Sequence, residues 1–419
     1  MLLQFIFKNF RSFKEEVILD LTATKISEYN DRVVEIGNER LLTTTAIFGA
    51  NASGKSNIQE AFRYMHNYVI NSFDFGGETK EKKSSFMKPT PFLFDENSKG
   101  KESTFEVYFI GDESVKFKTF NYGFSIDDKG VKEEWLNSRA KTSRDDFKTI
   151  FYRNRETKEK DLCGISKKYH ENLLISLHDE ALLVSLGSKL KVNILSYIRD
   201  WFLNNEVANF GDPLENFVLS RCMPNGFAED ENIRNDVLKY FSSFDDSIVK
   251  FKVEEIKDDS DKIHYNITSY HTGTDGKLYG IPLREESAGT LKMLAMYDYI
   301  KDTLNNGGVF FVDELNARLH PLLVRNLLIT FLNKEINKNN AQIIFTSHDP
   351  WTLENDLLRR DEIWFVEKDK FGCSSLYSLA DFEDEDGMKI RKDENYMKNY
   401  LLGKYGAIPE LKQIKVMEE

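Results

Sequence analysis

The sequence predicts an α/β fold in which a mixed sheet is flanked by helices and interrupted by a mostly helical insertion. Three observations predict it. Apolar strands near both ends of the chain run into turns that carry glycine or acidic residues, which is typical of buried parallel strands. A segment with helical spacing follows the first of these turns. Between the two halves, residues 157–245 change to apolar residues three and four positions apart, which indicates helices.

The N-terminal half contains short strands on either side of one long helix. Its third strand, residues 41–48, is apolar, rich in threonine and followed by a glycine, as a buried parallel strand often is. The next helix places Ile58, Ala61 and Met65 on one face. The predicted elements are strands at 2–7, 17–21, 41–48, 105–110 and 120–126, and a helix at 56–72.

The middle of the chain forms the predicted insertion. The stretches LLISLHDEALLVSLG and KVNILSYIRDWFLNN both show helical spacing. Strand patterns return after it, and the most apolar are Val309–Val312 and Gln342–Thr346. We therefore predict one discontinuous head, formed by residues 1–155 and 246–419, into which residues 156–245 are inserted.

Composition limits the class of protein. A chain of 419 residues with 41% hydrophobic and 13% aromatic residues has enough apolar material for a packed core. No run of about 18 apolar residues is present, and the three cysteines are too far apart for a disulfide framework or a zinc site. We therefore expect a cytoplasmic protein that does not span a membrane. The net charge of -12 disfavours broad nucleic-acid binding, because phosphate contacts need clustered Lys and Arg.

The most specific motif is GANASGKS, Gly49–Ser56, which fits the phosphate-loop pattern G-x-x-x-x-G-K-[ST]. Gly49 and Gly54 allow the backbone to wrap so that its amides face phosphate oxygens. Lys55 offers a positive charge to the β- and γ-phosphates, and the Ser56 hydroxyl is placed to ligate Mg²⁺. The N-terminal end of the next helix adds a positive potential. The motif therefore predicts ATP as the ligand, with Mg²⁺.

Two acidic residues follow a second buried strand. VFFVDE places four apolar residues before Asp313 and Glu314, so both carboxylates emerge at the carboxyl edge of the sheet, where ligands bind in open α/β sheets. Asp313 is the expected Mg²⁺ ligand, and Glu314 is expected to polarise the attacking water. The strand in QIIFTSHDP delivers His348 to the same edge, where it can contact the γ-phosphate or orient that water.

The segment REESAGTLKMLAMYDYI precedes the acidic strand. Ser287, followed by Ala288 and Gly289, is typical of a helix N-cap with exposed amides. A helix predicted at 288–305 then leads into Val309. The order GANASGKS, ESAGT, VFFVDE and TSHD matches the ABC-type ATPase heads of the SMC, RecF and OLD group, which this chain resembles. The opening FKNFRSF is also similar to the first strand pair of those proteins.

A closer resemblance comes from LNARLHP, RRDEIWFVEKD and LLGKYGAIP. These segments look like the standalone AAA ATPases of bacterial abortive-infection and phage-defence loci, which are Rlo- and Abi-like and related to the ATPase of PARIS systems. The resemblance covers about residues 1–130 and 250–410 and is not specific in the insertion. It implies a P-loop ABC-type ATPase head that hydrolyses ATP.

The resemblance assigns roles to particular residues. It implies Glu314 as the catalytic base, His348 as a switch, and Ser56 with Asp313 as metal ligands. The implied nucleotide-binding residues of the same chain are Gly49, Asn51, Ala52, Ser53, Gly54, Lys55, Ser56, Asn57 and Arg11.

A site of this kind implies partners. Ser287 and Gly289 would contact the γ-phosphate bound by a second copy, which makes the protein a homo-oligomer with ATP sandwiched between its heads. The segment reads ESAGT where ABC heads have LSGGQ, and no glutamine is identified with their Q-loop.

The resemblance leaves two functions open. In the first, the protein is an ATP-dependent sensor or scaffold of an antiphage system and controls a separately encoded nuclease or toxin. The acidic composition and the Abi-like C-terminal segments favour this function. In the second, it is a DNA-repair ATPase that clamps DNA, as SMC and RecF proteins do.

Overall fold

The structure of the protein is a computed structural model, which describes residues 1–75, 88–143, 146–258, 261, 263–383, 387 and 389–409. In these residues two large sheets enclose one long helix, and further helices cover the outer face of one of these sheets.

The strands, in chain order, are β1 (Leu2–Lys8), β2 (Val17–Asp20), β3 (Val34–Ile36), β4 (Glu39–Leu41), β5 (Thr44–Gly49), β6 (Ser103–Ile110), β7 (Thr119–Asp127), β8 (Gly130–Arg139), β9 (Lys148–Asn154), β10 (Lys160–Asp161), β11 (Glu206–Asn209), β12 (Ile248–Lys257), β13 (Ile263–Thr272), β14 (Leu278–Pro282), β15 (Val309–Asp313), β16 (Gln342–Thr346), β17 (Ile363–Lys368) and β18 (Ser374–Ser378). The α-helices are α1 (Lys55–Asn71), α2 (Glu96–Lys99), α3 (His170–Ser176), α4 (Leu183–Lys189), α5 (Asn193–Leu203), α6 (Pro213–Leu219), α7 (Glu231–Phe241), α8 (Ala288–Asn306), α9 (Pro321–Leu332) and α10 (Tyr396–Leu401).

The six-stranded sheet carries the predicted site. Its order is β11-β15-β16-β5-β17-β18, and its neighbouring strands are parallel except for β17 with β18. Every residue of β5, β15 and β16 is buried, which explains their continuous runs of Val, Ile, Phe and Thr. Because these strands are parallel, their carboxyl ends meet at one edge, and Gly49, Asp313 and Thr346 all lie at that edge.

The seven-stranded sheet is antiparallel, in the order β10-β9-β8-β7-β6-β1-β2. Helix α1 lies between the two sheets. Its Phe62 ring packs edge-on against Phe5 of β1, with 5.3 Å between centroids, and lies 5.7 Å from the Phe311 ring of β15. This buried contact fixes α1, and with it the phosphate loop at its start, relative to both sheets.

Helices α8 and α9 cover the other face of the six-stranded sheet. Their apolar residues share one core with Phe310 and Phe345. Helix α8 ends at Gly307, whose φ of 66° is the left-handed conformation that commonly terminates a helix. Helix α9 begins with Pro321 in its first turn and His320 as its N-cap, a favourable arrangement because that turn has no use for the proline N–H.

The predicted fold class is confirmed, since a mixed sheet flanked by helices carries the phosphate loop at its carboxyl edge. One predicted element differs. The strand expected at residues 41–48 is divided between β4 and β5, because the chain bends at Thr43.

Residues 156–245 contain helices α3 to α7, the two-residue strand β10 and also strand β11. That strand pairs in parallel with β15 and forms an edge of the six-stranded sheet. With four residues, β11 is too short to show a strand period in the sequence. The division of the chain at residues 156 and 245 stays a prediction.

Candidate nucleotide-binding site

The phosphate loop connects β5 to α1 at the carboxyl edge of the six-stranded sheet. Gly54 has φ 117°, which other residues rarely adopt, and a Cβ there would lie 2.6 Å from Ser374 Oγ. A Cβ on Gly49 would lie 2.5 Å from the carbonyl oxygen of Val366. The backbone conformation and the close neighbours therefore require glycine at the predicted positions.

The other predicted loop residues lie in the same turn. Asn51 and Ala52 are exposed at its tip, where Ala52 has φ 63°, whereas Ser53 is buried. Asn57, in the first turn of α1, donates from Nδ2 to the hydroxyl of Ser12 at 2.7 Å. The structure brings these residues together, and their contact with a nucleotide stays a prediction.

Lys55 is buried against the loop. Its Nζ donates to the carbonyl oxygens of Gly49 at 2.9 Å and Ala50 at 3.1 Å, and lies 3.3 Å from His348 Nδ1. Burial lowers the pKa of Lys55 to about 8, although the charge of Glu314 acts in the opposite direction. A bound phosphate would favour the charged ammonium, because a nearby anion raises the pKa of a cationic group.

Ser56 and Asp313 are the residues predicted to ligate Mg²⁺. Asp313 is 1% exposed, and its Oδ1 accepts a hydrogen bond from Thr346 Oγ1 at 2.5 Å. Burial raises the pKa of Asp313, and hydrogen bonds from the Thr346 and Ser56 hydroxyls oppose the rise. One carboxylate and one hydroxyl fit Mg²⁺, which takes few protein ligands and completes its shell with phosphate oxygens and water.

Glu314 and His348 are in direct contact. His348 Nε2 lies 2.7 Å from Glu314 Oε1, so this nitrogen donates to the carboxylate, while Nδ1 of the same ring lies 3.3 Å from Lys55 Nζ. Burial acts to raise the pKa of Glu314, but the hydrogen bond and charge of His348, with smaller effects of Lys55 and Lys292, lower it below its ordinary value. Glu314 is therefore ionised at neutral pH, as a general base must be.

Thr346 holds both acidic residues, and sequence reasoning missed it. Its hydroxyl donates to Asp313 Oδ1 and accepts from the backbone N–H of Glu314 at 2.9 Å. Glu314 has φ 54°, a conformation uncommon outside glycine, so this bond stabilises an unfavourable backbone geometry. The feature of the sequence that could have identified Thr346 is its position two residues before His348 in the motif TSHD.

Lys292 of α8 is a second residue that sequence reasoning missed. It is 1% exposed, and its Nζ donates to the carbonyl oxygens of Glu314 at 3.0 Å, Leu315 at 2.8 Å and Ala317 at 2.9 Å. Burial lowers the pKa of Lys292 to about 7. Because it holds the backbone that follows Glu314, Lys292 connects the helix that starts at Ser287 to the expected base. The feature of the sequence that could have identified Lys292 is a lysine within the otherwise apolar run LKML.

The end of β11 also reaches the site. Asn209 is the register partner of Asp313, and a Cβ on Gly211 would lie 2.7 Å from Glu314 Cγ. Asn209 Oδ1 accepts from the N–H groups of Gly211 and Asp212, each at 2.9 Å, which fixes the turn. This turn lies beside the acidic strand, although the sequence NFGDP falls within the predicted insertion. Its glycine and proline are the signal that sequence reasoning could have used.

Ser287 and Gly289 lie at the start of α8. Ser287 Oγ accepts from the N–H of Thr290 at 3.1 Å, and a Cβ on Gly289 would lie 3.0 Å from the carbonyl oxygen of Arg318. In the described part of the chain, no hydrogen bond joins either residue to residues 49–57. Their predicted contact with a nucleotide in another copy stays a prediction.

Arg11 lies in the turn between β1 and β2, with φ 50°. Its Nη2 is 3.3 Å from Glu60 Oε2 in α1, and its guanidinium lies 5.6 Å from the centre of the Phe10 ring. Within one chain Arg11 therefore forms an ion pair with Glu60 of α1. A contact between Arg11 and a nucleotide stays a prediction.

Comparison with known proteins identifies the family. Residues 44–354, most of the chain, match the family described as "AAA domain, putative AbiEii toxin, Type IV TA system". The chain belongs to this family. Matching solved structures include the "Structure of the recombination mediator protein RecF-ATP in RecFOR pathway", with 13% identity, a TM-score of 0.34, and coverage of 90% of this chain and 97% of that chain. A TM-score of this size is too low to support an inference. No curated protein matches the chain.

The residues at the sheet edge of this AAA ATPase have the chemistry that phosphoryl transfer to water requires. Lys55 and the loop amides can bind phosphates, and Mg²⁺ held by Ser56 and Asp313 would neutralise charge on them. Glu314, ionised and oriented by His348, can accept a proton from water. Separately, no helix in the described residues has the length and apolar character that crossing a membrane requires.

Proposed function

We propose that this AAA ATPase binds MgATP between two copies of the chain and hydrolyses it to ADP and phosphate. The connected contacts at the sheet edge carry the proposal. Lys55 contacts His348, which contacts Glu314, and Thr346 joins Glu314 to Asp313. In the reaction Glu314 takes a proton from water as the water oxygen bonds to the γ-phosphorus. The bond from the γ-phosphorus to its bridging oxygen breaks, and ADP leaves.

The start of α8 supports a role for a second copy. Ser287 and Ala288 are exposed at the N-terminus of this 19-residue helix, where unpaired amides and the helix dipole attract anions. The described residues contain no hydrogen bond from Ser287 to the phosphate loop of the same chain. The γ-phosphate of another copy is therefore the anion that this helix end would bind.

We further propose that the protein is a cytoplasmic sensor or scaffold in an antiphage system and controls a separately encoded nuclease or toxin. The family name refers to the AbiEii toxin of a type IV toxin–antitoxin system, and the defence-like segments near the C-terminus agree with it. The net charge of -12 disfavours the alternative, a clamp on DNA. The likeness to RecF, at a TM-score of 0.34, does not argue for that alternative.

The hydrolysis proposal is tested by measuring the ATPase rate and the oligomeric mass of the wild type and Glu314→Gln, with and without MgATP. We expect the wild type to hydrolyse ATP and Glu314→Gln to lose hydrolysis but to accumulate as a nucleotide-bound assembly. Glu335→Gln, at an exposed acid beyond α9, is the matched control and should behave as the wild type. Equal rates in wild type and Glu314→Gln would contradict the assignment of the base.

The defence proposal is tested by phage infection of cells that carry this gene with its neighbouring genes. We expect protection that requires Lys55 and is lost when a neighbouring nuclease or toxin gene is deleted. Protection that survives Lys55→Ala would contradict a role for ATP. ATP-dependent, salt-sensitive binding of DNA by the purified protein would favour the clamp instead.

A further inference from the structure

The order of the sheet limits where the base of a nucleotide bound in the proposed site would lie. In the proposed site, Glu314 and His348, which follow β15 and β16, would place the γ-phosphate on one side of β5. On the other side of β5 lies the β17–β18 hairpin. Neighbouring strands are about 4.8 Å apart, so β16 and β17 are separated by about 10 Å, a distance comparable to the length of a triphosphate. The nucleoside would therefore extend towards the hairpin tip, residues 369–373.

An aromatic ring lies at this hairpin tip with one side supported and the other open. Phe94 is 77% exposed, yet it rests against Gly372, where a Cβ would lie 2.7 Å from a ring carbon. The buried ring of Phe92 meets it edge-on, with 5.7 Å between centroids. Apolar surface of this size is unfavourable in water, so a flat ligand that covers the open side would be stabilised.

The segment that carries this ring is anchored. Asn9 Oδ1 accepts from the N–H of Phe92 at 3.0 Å, and Asn9 Nδ2 donates to the carbonyl oxygen of Ser98 at 3.0 Å. Lys14 forms an ion pair with Asp95 at 3.1 Å. These contacts on both sides of Phe94 limit its freedom before a ligand arrives, which lowers the entropy cost of binding.

The same hairpin is bonded to the phosphate loop. Ser374 Oγ, two residues after Gly372, lies 2.5 Å from the carbonyl oxygen of Ser53 and 2.8 Å from Ser12 Oγ. Ser12 Oγ in turn accepts from Asn57 in α1. The aromatic ring and the phosphate loop are thus parts of one hydrogen-bonded region, rather than separate surfaces.

We propose that Phe94 is the stacking platform for the purine base of the nucleotide whose phosphates bind at Gly49–Ser56. This assignment rests on the proposed binding of MgATP. Stacking tolerates either purine because every base presents a π face, so the platform contributes affinity for a nucleoside without selecting adenine over guanine.

The test compares MgATP with magnesium tripolyphosphate, which has the phosphates but no base. Titration calorimetry on the full chain carrying Glu314→Gln measures binding without hydrolysis. We expect Phe94→Ala to weaken MgATP by about 5- to 100-fold, the range for stacking one base, and to leave tripolyphosphate unchanged. Phe94→Tyr keeps the ring and should match the parent. Phe73→Ala, a partly exposed ring beyond the far end of α1, is the control and should also match it.

Each other outcome overturns the assignment. If Phe94→Ala binds MgATP as tightly as the parent, the ring is not the platform. If it loses MgATP and tripolyphosphate equally, the ring acts by supporting the phosphate loop. If it changes the oligomeric mass but neither affinity, the ring belongs to a protein interface. A parent that binds neither ligand, or whose affinities are unchanged by Lys55→Ala, would refute the proposed MgATP site itself and the base platform with it.

Discussion

Replacing Thr346 by valine removes one hydroxyl, keeps the shape of the side chain, and so tests what holds the acidic pair. Thr346 is 0% exposed, and its hydroxyl is bonded to the Asp313 carboxylate and to the backbone N–H of Glu314. Valine leaves that N–H without its partner and the carboxylate with one donor fewer. The left-handed backbone of Glu314 also loses a restraint.

The magnitude follows from these two contacts. A buried donor left unpaired costs about 1–3 kcal/mol, and a hydrogen bond to a charged group contributes about 1.5–3 kcal/mol. The two losses are coupled through one hydroxyl, so we expect the free energy of unfolding to fall by about 2–4 kcal/mol. The pKa of Asp313, already raised by burial, rises further because a hydrogen bond that lowers it is lost.

The assay is urea unfolding of the variant and of a matched control at several pH values. Thr45→Val is the control, because Thr45 is equally buried in β5 and its hydroxyl has no hydrogen-bond partner among the described residues. We expect the control to change stability by less than about 1 kcal/mol.

The pH dependence of Thr346→Val has a definite sign. An acid with a raised folded pKa binds more protons when folded, so its contribution to stability falls as pH rises from about 4, the ordinary value, through the folded pKa. The deficit of Thr346→Val should therefore be smaller below pH 4 than at pH 7. Equal, mild effects of Thr346→Val and Thr45→Val at pH 7 would refute the reasoning.

The remaining predictions concern the groups around the same edge. Lys292→Met should lower kcat by about 10- to 100-fold with little change in KM for ATP, because the backbone at Glu314 loses the lysine that holds it. Steady-state kinetics measures both constants, and a change in KM without a change in kcat would contradict this role. The pKa of Lys292 in the folded protein, about 7, lies below its ordinary value of about 10.4. The free energy of unfolding should therefore rise as the pH increases between these two values, because the unfolded chain binds the proton more tightly. Lys292→Met should flatten this rise when unfolding is measured at several pH values. Gly211→Val should reduce kcat because its Cβ would lie 2.7 Å from Glu314 Cγ; a normal rate would show that the turn moves aside. Gly54→Ala should abolish binding of MgATP in calorimetry, since φ 117° and a Cβ 2.6 Å from a neighbouring hydroxyl are both unfavourable; retained affinity would mean that the loop tolerates another conformation.

The sequence predicted those parts of the site in which a short local motif carries both the backbone geometry and the functional side chain. Gly54 belongs to a loop whose backbone geometry requires glycine, and Asp313 ends a strand whose burial is visible as an apolar run. Parallel pairing of the strands then brings Asp313 and Thr346 to the same edge of the sheet as the phosphate loop. This explains why motifs that are distant along the chain could be predicted to lie close together.

The parts that sequence reasoning missed depend on contacts distant in the chain. Lys292 lies on a helix where a lysine suggests a solvated side, but its burial is satisfied by three carbonyl oxygens, those of Glu314, Leu315 and Ala317. Asn209 reaches the site through a four-residue strand inside a helical segment. The support for Phe94 comes from Gly372, far along the chain, so no local pattern reveals it.

Mixing two inactive variants tests most directly the claim that ATP is hydrolysed between two copies. Lys55→Ala disables the phosphate loop, and Ser287→Arg blocks the start of α8. In a mixed dimer, one site carries both defects, and the other combines the intact loop of one chain with the intact α8 of its partner. For a two-fold dimer mixed at random, we expect recovery of about a quarter of the wild-type ATPase rate. Mixed dimers that form by mass but recover no activity would contradict the shared site.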